Sequence, residues 1–551
     1  MAGFEERANA LIARLDGGEK PDHLAGELSA LRGCWRELGA DQRERASAAA
    51  AALAQRTRGT GAAGAAAGAV RLYVGPPDPD ALLTHYGLSA FRPGQREAVS
   101  ACLAGRDALV IMPTGGGKSL CYILPGLASA RLTVVVSPLI ALMSDQHRRL
   151  AAGGHPVVML ASGMPEDHNR AALAAIRTGS ARIAYCSPER FASRAFIEAL
   201  ATRELALFVV DEAHCLSEWG HDFRPDYLRL QAAAERLGRP PVLACTATAT
   251  PAVAEEIEAR LGLREPLVVH GGFDRPNLSF DVLGFEGRGA RARKLATLLA
   301  VLRMPENRPA IVYAGTRAEV DDLSLRLSQE GLRAVGYHAG MAPAARARAQ
   351  ARFLSDEADV VVATNAFGMG VDKPDVRSVI HHALPGSIEA YYQEAGRAGR
   401  DGRPARALLL AMRADLGRLI RFNQERSTDV RTVAAHVERL SAAAGDARVC
   451  TIEPPREDAE RVALAVAERA GALRLAPAGR GMLEVTLTGR LDRHRAREIC
   501  NIAKDRGWRA YRAIERYASG HEECRRRQIL EHFGDLAAGV PSGRCCDVCD
   551  P

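Results

Sequence analysis

Residues Ala108–Met112 form a short apolar run. It leads straight into Pro113-Thr114-Gly115-Gly116-Gly117-Lys118-Ser119 and then into a helical pattern. A strand, a glycine-rich turn and a helix in that order constrain this chain more than any other feature. The glycines allow backbone conformations that aim several N–H groups at one point, at the start of a helix, and that point suits a phosphate. There Lys118 would reach the β- and γ-phosphates of a nucleotide, and the Ser119 hydroxyl would bind Mg²⁺. The longer form of this pattern places glycine where Met112 stands.

The surroundings repeat the same architecture. Short β-branched runs at Thr133–Val136, Val157–Leu160, Ile183–Tyr185, Leu207–Val210 and Val242–Cys245 alternate with helical segments. The rhythm restarts at Ala310–Tyr313, Ala334–Tyr337, Val360–Ala363, Val379–His382 and Leu408–Leu410. Such alternation predicts α/β lobes with parallel sheets covered on both faces. A chain of 551 residues has room for two to four domains. We place one α/β lobe at 71–280 and a second at 281–428. In front of them, 1–70 reads as a helical extension closed by the Gly/Ala stretch Gly59–Gly68, a flexible linker. The extension offers a surface for a protein partner. After the lobes, 429–490 reads as helices plus a hairpin, Ala472–Leu475 and Leu483–Leu487. Two alternatives fit it, a winged-helix-like insert and an enlarged helical scaffold.

A second chemical string is Val209-Val210-Asp211-Glu212-Ala213-His214. Two carboxylates at the end of an apolar strand are costly unless they bind something. Asp211 is expected to hold Mg²⁺, Glu212 to polarise the attacking water, and His214 to link the site to its neighbours. No run of 18 residues lacks charge, which excludes a membrane-spanning helix, and the acidic N-terminus carries no export signal. A cytoplasmic protein with reduced thiols is expected. The net charge of +7 is modest, and its placement says more. Between Arg490 and Arg527 stand 12 basic against 6 acidic residues, a block that suits nucleic acid.

With these strings in place, the chain resembles the RecQ family of DNA helicases in helicase superfamily 2. Helicase-type ATPases use the shorter Thr-Gly-x-Gly-Lys-Ser loop found here. Phe91-Arg92-Pro93-Gly94-Gln95-Arg96-Glu97 resembles the family's adenine-reading element, which implies contacts from Arg92 and Gln95. Ser137-Pro138-Leu139 and Tyr185-Cys186-Ser187-Pro188-Glu189 resemble its DNA-contacting segments, and Cys245-Thr246-Ala247-Thr248-Ala249 its lobe-coupling motif. The most specific match is Ser217-Glu218-Trp219-Gly220-His221-Asp222-Phe223-Arg224-Pro225-Asp226-Tyr227, similar to the family's aromatic-rich loop. The resemblance implies DNA contacts from Ser137, Trp219, His221, Phe223, Arg224 and Tyr227.

In the second lobe, Ala363-Thr364-Asn365-Ala366-Phe367-Gly368-Met369-Gly370-Val371-Asp372-Lys373-Pro374 places Gly370 and Asp372 at the nucleotide. Gln393-Glu394-Ala395-Gly396-Arg397-Ala398-Gly399-Arg400 supplies Gln393, Arg397 and Arg400 to catalysis. Arg400 is the first candidate for an arginine finger and Arg397 the second. Thr114, Gly115, Gly116, Gly117, Lys118 and Ser119 complete the ATP contacts. Thr316 stands where the family usually has serine.

At the C-terminus, Cys524 precedes Cys545-Cys546-Asp547-Val548-Cys549, and four thiolates suit tetrahedral Zn²⁺. The family carries a zinc module here, opened by Cys-Arg-Arg as in Cys524-Arg525-Arg526, which we place at 491–551. The family's spacing puts a cysteine where Gly543 stands. Either Cys545 replaces it, beside Cys546 and Cys549, or His521 completes the set.

The resemblance implies an ATP-driven 3′→5′ DNA helicase acting with ATP, Mg²⁺ and Zn²⁺ on single-stranded and branched DNA. An RNA helicase and an ATP-switched nucleic-acid scaffold are the rivals. Unwinding of matched DNA and RNA duplexes separates the first, and a translocation assay the second.

Overall fold

A computed structural model describes residues 2–16, 27, 75, 77–113, 115–161, 164–216, 225–368, 373–426, 428–453, 455, 458–478, 482–520, 522–537 and 539–551. The chain divides into two compact units, one of Met1–Leu72 with Gln146–Pro156, the other of Tyr73–Asp145 with Val157–Pro551. In the first, helix α1 (Ala2–Asp16) buries Ala8 and Leu11, and Arg14 pairs with Glu27 at 2.9 Å. The remaining helix expected before residue 58 and the Gly59–Gly68 linker lie outside the described residues.

The second unit holds two parallel sheets. Strands β1 (Ala108–Ile111), β2 (Leu132–Val136), β3 (Val157–Leu160), β4 (Ile183–Cys186), β5 (Leu205–Val210), β6 (Val242–Thr246) and β7 (Leu267–His270) form the first, in the order β3-β4-β2-β5-β6-β1-β7. Strands β8 (Leu278–Phe285), β9 (Ala310–Tyr313), β10 (Ala334–Tyr337), β11 (Val360–Ala363), β12 (Ser378–His381) and β13 (Ala405–Met412) form the second, ordered β10-β11-β9-β12-β13-β8. Each is a RecA-like lobe. Strands β1, β2, β4, β6, β9 and β11 are buried along their whole length. Strands covered on both faces lose the polar alternation of half-exposed ones, so they read as continuous apolar runs.

The apolar runs did not announce β7 and β8. Strand β8 carries Asp281, which is 1% exposed. A carboxylate in mid-strand breaks the apolar signal, and it is tolerated because two guanidinium groups meet it. Arg406 Nε, on the neighbouring strand β13, lies 2.6 Å from one oxygen, and Arg544 Nη2 lies 3.2 Å from the other.

Beyond the second lobe, α2 (Val430–Ala444), β14 (Val449–Ile452), α3 (Asp458–Arg469), β15 (Leu473–Pro477) and β16 (Leu483–Leu487) build a small body with its own core. Its sheet is antiparallel, ordered β14-β16-β15. The hairpin falls where the sequence placed it. Strand β14 is additional, four residues long and half exposed, and only its pairing with β16 gives it away.

Helix α4 (Arg493–Ser519) is 27 residues, roughly 40 Å long. Its first part completes that core through Ala496, Ile499 and Cys500. Further along, Arg506 pairs with Glu256 of the first lobe at 3.0 Å, and the buried Tyr517 packs on Tyr391 of the second. Helix α5 (Arg525–His532) and the terminal cysteines follow. Among the described residues no helix is long and apolar enough to cross a membrane.

Candidate functional site

Strands β1, β6 and β5 lie side by side, so the loops at their C-terminal ends converge. The loop after β1 is the glycine turn. Gly117 has φ +81°, and a β-carbon there would stand 2.5 Å from the Gln95 amide nitrogen. Any other residue would be strained by its backbone and would also displace Gln95. Lys118 Nζ donates to the Met112 carbonyl at 3.1 Å, which holds the ammonium within the turn.

Gln95 is buried rather than open to a base. Its Nε2 donates to the carbonyls of Gly116 (3.2 Å) and Gly117 (2.9 Å), and its Oε1 accepts from Arg92 N–H at 2.8 Å. The Arg92 guanidinium donates to the Gly115 carbonyl. Both residues expected at adenine therefore brace the phosphate loop in this structure. Ser119 stands half-buried at the head of the next helix, Leu120–Ala128. Thr114 lies outside the described residues.

Asp211 ends β5 and is buried, its N–H bonded to the Val136 carbonyl at 2.8 Å. Burial, reinforced by the neighbouring Glu212 charge, pushes its carboxyl up to about 7, and Lys118 opposes the shift. Glu212 has φ +50°, a left-handed conformation unusual for a non-glycine residue. A Glu212 oxygen lies 3.4 Å from His214 Nδ1, which is 3.0 Å from Thr246 Oγ1 at the end of β6. The Thr246 hydroxyl also accepts from Thr248 N–H at 3.2 Å. Thr246 is a polar link that the sequence suggested only through its motif.

Two residues expected at DNA are buried in this structure. Tyr227 is fully buried, and its hydroxyl donates to the Asp211 carbonyl at 2.9 Å. A ring with no accessible face cannot stack on a base, so it supports the carboxylate strand instead. Ser137 is buried too, its N–H held by the Cys186 carbonyl at 3.0 Å. Trp219, His221, Phe223 and Arg224 lie outside the described residues, as do Gly370 and Asp372.

From the second lobe, Arg400 reaches the glycine turn. A β-carbon added at Gly115 would stand 3.7 Å from Arg400 Cγ. Arg397 is placed differently. It is buried, and its guanidinium donates to the Gly368 carbonyl within its own lobe. Gln393 is half-buried on the helix Ile388–Ala395. The structure places the two arginines differently, Arg400 beside the glycine turn and Arg397 on its own lobe.

The four C-terminal cysteines converge. The sulfurs of Cys524, Cys545, Cys546 and Cys549 all lie within 4.8 Å of one another, with Cys524 to Cys545 at 3.6 Å. A tetrahedral zinc with Zn–S of ~2.3 Å needs sulfurs ~3.8 Å apart, so the set fits. Cys545 occupies the fourth position, and His521 lies outside the described residues. Burial raises the Cys524 thiol, but the N–H groups of Arg527 and Arg526 at the head of α5 bring it below its ordinary value.

The cysteine loop is docked on the second lobe. Phe280 N–H, on edge strand β8, donates to the Cys545 carbonyl at 3.0 Å. Arg525 is fully buried and forks onto both oxygens of Asp547 at 3.1 Å, while its Nη1 donates to the Tyr517 carbonyl at 2.6 Å. The sequence did not single out Asp547. Arg525→Met should cost about 3–5 kcal/mol, because the Asp547 carboxylate loses its counter-charge. The expected readout is a lower urea midpoint for zinc release, and an unchanged midpoint refutes it.

Two tandem RecA-like lobes, with a glycine-rich turn on one and an arginine from the other against it, have the architecture of the two-lobed helicase class. The DEAD/DEAH box helicase family matches residues 92–257, the helicase conserved C-terminal domain 293–402, and the RecQ zinc-binding domain 490–550. The chain is 40% identical over 336 residues to "ATP-dependent DNA helicase RecQ" of Pasteurella multocida, covering 61% of this chain and 52% of that one. It is also 40% identical over 368 residues to "RecQ-like DNA helicase BLM" of Xenopus laevis, covering 64% and 26%. It spans about half the length, or less, of these relatives. Among solved structures, Mycobacterium smegmatis helicase Lhr bound to ssDNA and AMP-PNP shares the fold, with a TM-score of 0.51 at 22% identity over 74% of this chain and 60% of that one. The chain belongs to the RecQ family of superfamily 2 helicases.

Proposed function

We propose that this chain hydrolyses ATP to travel 3′→5′ along single-stranded DNA and to separate duplex or branched DNA in recombination, repair or replication restart. The observation that carries this reading is the approach of Arg400 to the glycine turn. A second lobe that touches the nucleotide site of the first can convert hydrolysis into relative motion of the lobes.

In this reading Lys118 and the N–H groups of the glycine turn bind the triphosphate. Ser119 and Asp211 would hold Mg²⁺, which would supply positive charge against the phosphates. Glu212 accepts a proton from the attacking water, and Arg400 balances the charge that develops on the transferred group. His214 and Thr246 pass the state of Glu212 to the end of β6. Trp219 and its neighbours follow these carboxylates closely in the chain. Stacking on bases, worth about 1–3 kcal/mol each, can therefore reposition Glu212. Trp219→Ala should keep basal ATPase and lose stimulation by single-stranded DNA. Unchanged stimulation would assign the ring to packing. The exposed cations of α4, Arg497 and Lys504 among them, offer DNA a further surface.

The test uses the full chain. Single-stranded DNA should stimulate its ATPase, and duplexes with 3′ overhangs should be unwound in preference to those with 5′ overhangs. Lys118→Ala should retain DNA binding and lose turnover, and more than about a tenth of wild-type turnover sinks the assignment. Equal unwinding of RNA duplexes of matched stability would favour an RNA helicase. ATPase without translocation would favour a switched scaffold.

A further inference from the structure

The linker between the two sheets runs from the end of β7 at His270 to the start of β8 at Leu278. Half-way along it, Arg275 turns into the second lobe. Its Nη1 donates to the Gly396 carbonyl at 3.0 Å, and its Nη2 to the carbonyls of Ala398 (2.9 Å) and Gly399 (3.1 Å). These carbonyls follow the helix Ile388–Ala395, in the turn that carries Arg397 and Arg400. The partial negative charge at the C-terminal end of this helix favours a cation beside it. Two neighbours fasten the same places. Asn277 Nδ2 donates to the Gly399 carbonyl at 2.8 Å, and the Tyr392 hydroxyl donates to the Phe273 carbonyl at 2.7 Å.

The next residue after this turn is Arg400, whose side chain passes the phosphate loop of the first lobe. We infer that Arg275 is a positioning residue for the reaction. It ties the interlobe linker to the turn that carries Arg400, so the angle of the linker sets where the Arg400 guanidinium meets the transferred phosphate. The inference rests on the ATPase reading above. It goes beyond it in giving the linker a part in hydrolysis that no sequence motif singled out. Guanidinium geometry matters here, because its two Nη groups serve three separate carbonyls, which the compact ammonium of a lysine would not match.

The experiment measures kcat and KM for DNA-stimulated ATP hydrolysis by the full chain. The variants are Arg275→Lys, Arg275→Gln, Arg400→Ala and the double variant Arg275→Gln with Arg400→Ala. A catalytic group displaced by about 1 Å costs on the order of 10²-fold in rate. We expect Arg275→Gln to lose kcat on that scale with KM for ATP little changed, and Arg275→Lys to lose less. The double variant should be no slower than Arg400→Ala alone, because Arg275 acts only through Arg400. Losses that multiply, a loss confined to KM, or an unaffected kcat in both single Arg275 variants would overturn the inference. If Arg275→Gln fails to fold, the soluble Arg275→Lys variant decides by the same cycle. An Arg400→Ala variant with normal turnover would instead refute the finger reading of the preceding section.

Discussion

Arg400→Ala should bind ATP with near-normal KM and hydrolyse it slower by on the order of 10³–10⁵-fold, the range for arginine fingers in phosphoryl transfer. That is about 4–7 kcal/mol of transition-state stabilisation. The reason lies in timing. Charge on the transferred group is spread most widely in the transition state, so a cation placed there contributes to rate more than to affinity. Arg397→Ala should act differently. Its guanidinium is spent on the Gly368 carbonyl, so its loss disturbs the loop of the second lobe rather than removing charge from the nucleotide. Steady-state kinetics on both variants check this. Parallel loss of ATP affinity and rate in Arg400→Ala would mean a ground-state contact.

Removal of the metal should have a larger effect, on the fold rather than on the rate. The purified chain should carry about one Zn²⁺, and Cys545→Ser should lose it. Structural zinc sites contribute apparent free energies of about 10–16 kcal/mol, as large as the whole stability of a typical domain. Around the cysteines the C-terminal module packs few large side chains, Ile529, Leu530 and Phe533 among them. Leu536 and Val540 are largely exposed, and its buried interior includes Arg525 and Arg526. Because the Cys545 carbonyl and the Asp547 carboxylate accept from the N–H groups of Phe280 and Val282 on edge strand β8, chelation should also loosen the second lobe. Metal analysis together with urea unfolding decides. Zinc retained in Cys545→Ser but lost in Cys546→Ser would exclude Cys545 as a ligand and point to His521.

Much of this was legible before any coordinates. Apolar runs such as Ala108–Ile111 and Val360–Ala363 are strands because parallel sheets bury both faces, which leaves a signal no helix surface gives. The glycine turn was legible because few residues tolerate φ near +80°. Cys524 and the Cys545–Cys549 group were legible because thiols cluster for metal. Less visible were strands whose signal depends on a partner. Asp281 hides β8 until Arg406 and Arg544 are beside it. Val449–Ile452 is too short to read as β14 without β16.

The sequence by itself determined the chemistry: a phosphate loop ending in Lys118-Ser119, a carboxylate pair at Asp211-Glu212, two arginines at 397 and 400, and four thiols. Those are local statements about residue types at fixed spacing. Tertiary structure alone decided where the members of each set stand. It put Arg400 against Gly115 and turned Arg397 onto Gly368. It buried Tyr227 beneath Asp211, and seated Cys545 among the other sulfurs despite its shifted spacing. It also placed Arg275 on the turn before Arg400. The placements of Arg400 and Arg275 depend on contacts between residues more than a hundred positions apart, and no periodicity or motif in the chain encodes a distance of that kind.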